Sequence, residues 1–287
     1  MVPLFFFDAQ VKIPLCCIVK KLLMGLWVFH RAITGVCVKK QVFFIICLWL
    51  AIAVPSQAKD IKFTTALTQE AFKDLSKEAA AAFSYKNTAP PAPLGITGFD
   101  IGMEASLVDI RTGDDNYWER AYAGNAPGTL FIPRVRARKG LPLGIDIGAM
   151  YAYVPDSNIR LYGVELGYAL IEGGVAMPAV GVRGSYTRLS GVDDMDFETI
   201  GMDAAVSKGF LLLAPYAGAG VVYAQSEAKG DLQRLATETG ASLSREKIWQ
   251  PRYFAGCMIT AIPLLGITAE VEYLKRPVYS LKIAISF

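Results

Sequence analysis

The chain has 287 residues, with 29 Lys and Arg, 26 Asp and Glu, one His and five Cys. Its first 58 residues hold six of the cations, one of the acids, four of the cysteines and the histidine, which leaves 23 cations, 25 acids, Cys257 and no histidine for residues 59–287. That balance excludes a phosphate-tracking nucleic-acid binder, the lone thiol excludes an intrachain disulfide framework, and the missing imidazoles exclude a histidine-dependent active site or metal centre.

Lys39 and Lys40 precede thirteen uncharged residues, 42–54 (VFFIICLWLAIAV), and then Pro55-Ser56-Gln57-Ala58. A basic start, a short apolar run and small residues before a cut are the parts of a secretory signal. A transmembrane helix would need roughly 20 apolar residues. Cleavage after Ala58 is expected, a retained anchor being the alternative. Residues 1–37 are long for a signal and carry their own apolar patch at 3–7, so Met24 is the expected start. Cys16, Cys17, Cys37, Cys47 and His30 then have no role in the mature chain. Residues 1–58 are expected to form the leader, 59–93 a periplasmic helix and Pro-rich linker, and 94–287 the main domain.

Residues 65–86 (TALTQEAFKDLSKEAAAAFSYK) read as one amphipathic helix. Phe72, Leu75, Ala79, Ala82 and Phe83 recur at helical spacing, opposite Lys73, Asp74, Lys77 and Glu78. Thr68 followed by Ala71 is no capping box, which leaves the start open. Pro90, Pro91 and Pro93 end the helix, because proline lacks an N–H and disfavours helical geometry in the residue before it. The helix is expected to pack on a neighbouring surface, with insertion as a plug in a barrel the sharper alternative.

From Leu94 to the last residue the hydrophobic period is two. Ten alternating segments are predicted, at 94–108, 128–138, 143–154, 159–171, 178–190, 196–208, 213–225, 248–261, 265–275 and 277–287. Tyr162, Val164, Leu166, Tyr168 and Leu170, for example, alternate with Gly163, Glu165, Gly167 and Ala169, so one face is apolar and the other small or charged. The charged face carries Asp100, Glu104, Arg134, Arg136, Arg138, Asp146, Glu165, Arg183, Asp203, Arg252, Glu270, Glu272 and Lys282. A tilted strand needs about ten residues to cross a hydrocarbon band of ~25 Å. These segments have that length, against the usual five or six of a soluble sheet. A cation in the middle of a lipid face would cost roughly 2–4 kcal/mol, which gives the segregation a cause.

Links after the even segments are short and rich in Gly and Pro. The long ones, 109–127 and 226–247, follow the first and seventh segments. Numbered from a periplasmic start, both long links face outward and both chain ends lie in the periplasm. Tyr151, Tyr153, Tyr162, Tyr186, Tyr223, Tyr253, Tyr273 and Tyr279 sit on the apolar face near the outward ends, as an interfacial aromatic girdle requires. The fold expected is an all-β, antiparallel, up-and-down transmembrane β-barrel of about ten strands (8–12), preceded by a short amphipathic helix.

The terminal YSLKIAISF, with Tyr279, alternating Leu281, Ile283 and Ile285, and final Phe287, resembles the C-terminal assembly signal of Gram-negative outer-membrane β-barrel proteins. The resemblance implies export through the periplasm, an even strand number, an outer-membrane lipid environment and recognition of the last strand by the barrel-assembly machinery. That class spans pores, adhesins, enzymes and inert scaffolds, so fold does not supply function. The class's omptin-like proteases, lipid A acylases and deacylases, and phospholipase use a catalytic histidine, which residues 59–287 lack.

Glu270 and Glu272 stand about 7 Å apart on one strand face, a spacing compatible with paired carboxylate chemistry. Lumen ion pairing is the commoner use of such residues, so no enzyme activity, metal or cofactor is expected. Seven lumenal acids against six cations suggest a charge-paired barrel with a structural or binding role. A narrow channel for small polar or charged solutes is the alternative, with the ladder Arg134, Arg136 and Arg138 facing carboxylates across water. The inner glycines Gly144, Gly148, Gly163, Gly167, Gly218 and Gly220 would leave room for it. A third reading is recognition or adhesion through the long loops, using Asp114, Asp115, Tyr117, Trp118 and Arg120 or a short helix at 231–239; its extracellular partner is unknown.

Overall fold

The computed structural model describes residues 67–109, 128–154, 158–240, 242–262 and 264–287. The leader, the expected start at Met24 and the cluster from Asp114 to Arg120 lie outside the described residues. Ten strands follow a single helix, α1 (Gln69–Phe83): β1 (Phe99–Asp109), β2 (Thr129–Gly140), β3 (Ile145–Tyr153), β4 (Arg160–Ile171), β5 (Ala179–Ser190), β6 (Met195–Ser207), β7 (Leu213–Ala228), β8 (Glu246–Ile262), β9 (Leu265–Tyr273) and β10 (Pro277–Ser286). A second helix, α2 (Gly230–Glu238), joins β7 to β8.

Each strand pairs antiparallel with its neighbours in sequence, and β1 pairs with β10, so the sheet is a closed barrel. Closure leaves no sheet edge, which is what allows strands to stand in a medium that offers no hydrogen bonds. The seam is finished by the last residue. Phe99 and Phe287 exchange backbone hydrogen bonds of 2.8 and 3.0 Å, and their rings meet edge to face at 4.1 Å.

The alternation predicted from the sequence is the alternation of burial. On β4, Leu161, Gly163, Glu165, Gly167 and Ala169 point into the lumen while Tyr162, Val164, Leu166, Tyr168 and Leu170 point out. All eight tyrosines of the expected girdle face outward, near the ends at which β1 stops and β2 starts. That end is called the long-link mouth and the opposite end the short-link mouth. The first strand begins at Phe99 rather than 94, because Gly95 adopts φ +76° and its carbonyl accepts from the Gly98 N–H at 3.0 Å, closing a turn. β8, at 17 residues, runs seven residues past β9 at the long-link mouth, where β7, at 16 residues, ends level with β6.

Helix α1 starts at Thr68, whose hydroxyl accepts from the Ala71 N–H at 3.2 Å, a cap without the reciprocal acid of a capping box. The helix is not packed on an outside surface, the first expectation, but takes the alternative place of a plug. It is inserted into the lumen at the long-link mouth. Phe72 and Phe83 are wholly buried, Ser76 shares a 2.5 Å hydrogen bond with Ser226 of β7, and Phe83 meets Phe197 of β6 at 6.0 Å. A helix with ordinary side chains is about 10–12 Å across, and four consecutive alanines, 79–82, slim it enough for a ten-strand barrel. Around it Val108, Ile132, Met150, Leu161, Val222 and Val278 of the wall complete a dry apolar core.

Candidate functional site: the filled lumen

Below α1 the chain is extended. Residues 84–94 descend through the lumen to the short-link mouth and turn directly into β1. All thirteen charged residues expected on the inner face point into the lumen and are buried, and most of them close around this descending segment.

The ladder on β2 is consumed by immediate neighbours. Arg134 donates to Glu104 of β1 (3.2 Å), Ser106 (2.5 Å) and the Ala82 carbonyl at the end of α1 (2.8 Å). Arg136 forks onto Glu165 of β4 at 2.7 and 2.8 Å, donates to Thr88 at 3.1 Å, and lies 5.3 Å over the Tyr85 ring. Arg138 reaches Asp146 of β3 at 2.8 Å and stands 2.8 Å from Glu165. Guanidinium–carboxylate hydrogen bonds are charge-assisted and among the strong ones, and here the single nitrogen Nη2 of Arg136 meets both Glu165 oxygens.

On the other side, Arg252 of β8 bonds Glu272 of β9 through Nε (2.7 Å), Asp203 of β6 (3.1 Å) and the Tyr85 carbonyl (2.5 Å). Lys282 of β10 holds Asp100 of β1 at 3.0 and 3.2 Å. Two wall charges lack an opposite partner. Arg183 of β5 donates instead to three carbonyls of the threaded segment, those of Asn87 (3.1 Å), Ala89 (2.8 Å) and Pro90 (2.5 Å). Glu270 of β9 accepts from the Tyr216 hydroxyl at 2.6 Å, and its other oxygen has no hydrogen-bond partner among the described residues.

The threaded segment supplies the residue that the sequence reading missed. Lys86 is 2% exposed and donates to Glu272 (2.5 Å), the Ala81 carbonyl (2.7 Å) and Ser84 (3.2 Å). The wall alone has seven acids and six cations; Lys86 brings the lumen to seven of each. Asn87 donates to Asp203 at 2.5 Å, Thr88 to Glu104 at 2.5 Å, and the Leu94 N–H to Asp146 at 3.1 Å. Buried ionic groups persist when they are paired and hydrogen-bonded, and here the two halves of the pairing come from wall and plug. The available signal was the odd acid on the wall, with Lys86 four residues before the first proline of the linker.

Several of the inner glycines are covered rather than open. A Cβ on Gly163 would come within 2.8 Å of the Tyr85 ring, and one on Gly181 within 3.2 Å of Pro91. Lower on β7 and β8 the register sets Tyr216 opposite Gly256 and Phe254 opposite Gly218, so each aromatic ring covers the facing glycine. The carboxylates Glu270 and Glu272 are buried and engaged by Tyr216, Arg252 and Lys86. Among the described residues no group of His, Cys, Asp or Glu is arranged to hold a metal ion.

No protein-family model and no curated protein matches the sequence. Similar solved structures include the N-terminal β-barrel domain of Pseudomonas aeruginosa OprF, 14% identical, which covers 67% of this chain and 99% of that chain with a TM-score of 0.35. Others are OprG from Pseudomonas aeruginosa (11%, 69% and 99%, TM-score 0.35) and Ail, the attachment invasion locus protein of Yersinia pestis (14%, 66% and 97%, TM-score 0.30). At such identities the likeness concerns architecture, and the reading of the lumen rests on this chain's own geometry.

Proposed function

We propose that this chain is an integral outer-membrane β-barrel of a Gram-negative cell, non-enzymatic, whose lumen is shut by its own N-terminal segment. A closed barrel with an apolar outside, a tyrosine girdle and a charge-paired inside is built for hydrocarbon. The long-link mouth, with α1, α2 and the extension of β8, faces outward in this reading, and the role is structural or one of binding at that mouth. One observation carries the closed reading: residues 84–94 occupy the lumen and complete its ion pairing through Lys86 and its hydrogen bonding through the carbonyls on Arg183. A solute channel would need the Arg134–Arg136–Arg138 ladder to face water, whereas each member meets a carboxylate within 3.2 Å. Tyr279, Leu281, Ile283, Ile285 and Phe287 all point outward on the last strand, available to an assembly receptor before the seam closes.

Planar-bilayer recording tests the proposal. The intact protein should show no conductance steps, while Gly163→Leu with Gly181→Leu, which denies Tyr85 and Pro91 their seats, should leak. Steady steps from the intact protein would overturn it in favour of the channel.

A further inference from the structure

The short-link rim is built of the wrong residues for water. Its four links, 141–144, 172–178, 208–212 and 263–264, contain two charged residues in all, Glu172 and Lys208. The tips are apolar and stand clear of the protein: Leu143 is 84% exposed, and Val175 and Leu211 are as exposed as a free side chain. Three of the tips are leucines at left-handed φ, Leu143 (65°), Leu211 (49°) and Leu264 (78°). Glycine or asparagine would be the comfortable residue there.

The links also close their own hydrogen bonds. Leu141 donates to the Ile145 carbonyl (2.7 Å), Gly174 to that of Met177 (2.9 Å), Phe210 and Leu213 to each other (2.6 and 2.8 Å), and Ser286 to Leu264 (2.8 Å). Lys208 turns its ammonium onto the carbonyls of Gly174 and Val175, at 3.2 and 2.7 Å. The opposite rim is polar and ion-paired, through Glu227 with Arg245 and Asp196 with Lys229.

Three strands are short for the band they must cross. From the girdle, Tyr151 to Ile145 on β3 is six residues, and Tyr186 to Ala179 on β5 and Tyr279 to Ser286 on β10 are seven. At ~3.3 Å per residue and ~40° tilt these span roughly 15–18 Å, against an apolar band of ~25 Å; β7, ten residues from Tyr223 to Leu213, reaches across it. The shortfall on β3 and β5 falls beside the apolar tips Leu143 and Val175, and the outward-facing Lys139 at this rim turns its ammonium onto the carbonyls of Ile96 and Gly98, at 2.7 and 3.1 Å.

We infer that the short-link rim is sunk in the hydrocarbon of the adjoining leaflet, with Leu143, Val175, Met177, Leu211 and Leu264 contacting lipid chains and completing the apolar band. This rests on the membrane-barrel reading above. The test is urea unfolding of the full chain in vesicles of dioleoyl phosphatidylcholine and of the thinner dilauroyl phosphatidylcholine, for Leu211→Asn and Leu264→Asn. In water, asparagine relieves the left-handed backbone and should stabilise. In hydrocarbon it buries an amide, and the unfolding constant should rise about tenfold in the thick bilayer and by less in the thin one, where the rim emerges. A neutral or stabilising effect in the thick bilayer, or an equal rise in both, would overturn the inference. Leu166→Asn, in the middle of the outer wall, separates the two readings: destabilisation there with stabilisation at the tips defeats only the sunken rim, while no destabilisation at Leu166 defeats the membrane barrel itself.

Discussion

Lys86→Met removes the one cation that the threaded segment contributes while keeping the length of the side chain. Glu272 would then share Arg252 with Asp203, two buried acids on one guanidinium, and the Ala81 carbonyl at the end of α1 would lose its donor. Breaking a buried pair on one side costs about 3–5 kcal/mol, because the survivor stays buried without compensation. An exposed pair would cost less than about 1 kcal/mol. Urea unfolding in lipid vesicles, followed by tryptophan fluorescence and by heat-modifiable mobility, reads the difference at a few hundred millimolar and at high salt. The loss should be insensitive to salt, since both side chains are almost without solvent contact. The double variant Lys86→Met with Glu272→Gln restores the balance, at six of each, and should recover about 2 kcal/mol or more, as neighbours in one network do. A single-variant loss under 1 kcal/mol, or a double variant no better than the single, would refute the complementarity of plug and wall.

Met202→Arg, at a lipid-facing site two-thirds exposed on the outer wall, should cost about 2–4 kcal/mol in vesicles, whereas Tyr273→Arg at the girdle should cost about 0–1 kcal/mol by the same titration. Tyr216→Phe takes from Glu270 its only donor among the described residues and should destabilise by about 1–3 kcal/mol; Glu270→Gln in that background should regain part of it, measured by the urea midpoint. Phe287→Ala removes the ring contact with Phe99 at 4.1 Å, a loss of about 0.5–1.5 kcal/mol. If the last strand is read during assembly, the yield of heat-modifiable protein in membranes should fall by more than that stability change accounts for.

The strands were legible because hydrocarbon enforces a strict rule on one face. A charge anywhere but the ends of the outer face is expensive, so Arg134, Glu165, Glu270 and their companions could be assigned inward from alternation alone. The extra length of β7 and β8 was not legible, since Gln225, Glu227 and Lys247 leave the membrane and lose the rule. Pairing depends on register and on how far the barrel shears, neither of which a single strand displays. Arg136 thus spans to Glu165, two strands away, rather than to Glu104 beside it. Residues 84–94 have no period, so Lys86 and Tyr85 gave no signal of their own. The glycines at 148 and 163 read as space; they are where the Arg138–Glu165 pair and Tyr85 lie.

A barrel of ten strands is slightly wider than the size that wall side chains fill unaided. Larger inward residues would be one way to close it, but the wall here keeps Gly163, Gly181, Ala205 and Gly218 small and invests its bulk in arginines. A guanidinium offers five donors, more than the wall's carboxylates can absorb in a fixed geometry. The surplus is met by main-chain carbonyls, which a helix or strand has already spent but an extended, proline-rich segment has free. Arg183 shows the logic most plainly, since its hydrogen bonds go to the carbonyls of residues 87, 89 and 90. Proline serves such a segment well: it lacks the N–H that would itself need a partner and it resists folding back into helix. Arg183 and Glu272 therefore keep these partners only with residues 84–94 in place, and the segment is part of the folded barrel rather than a stopper added to a finished pore.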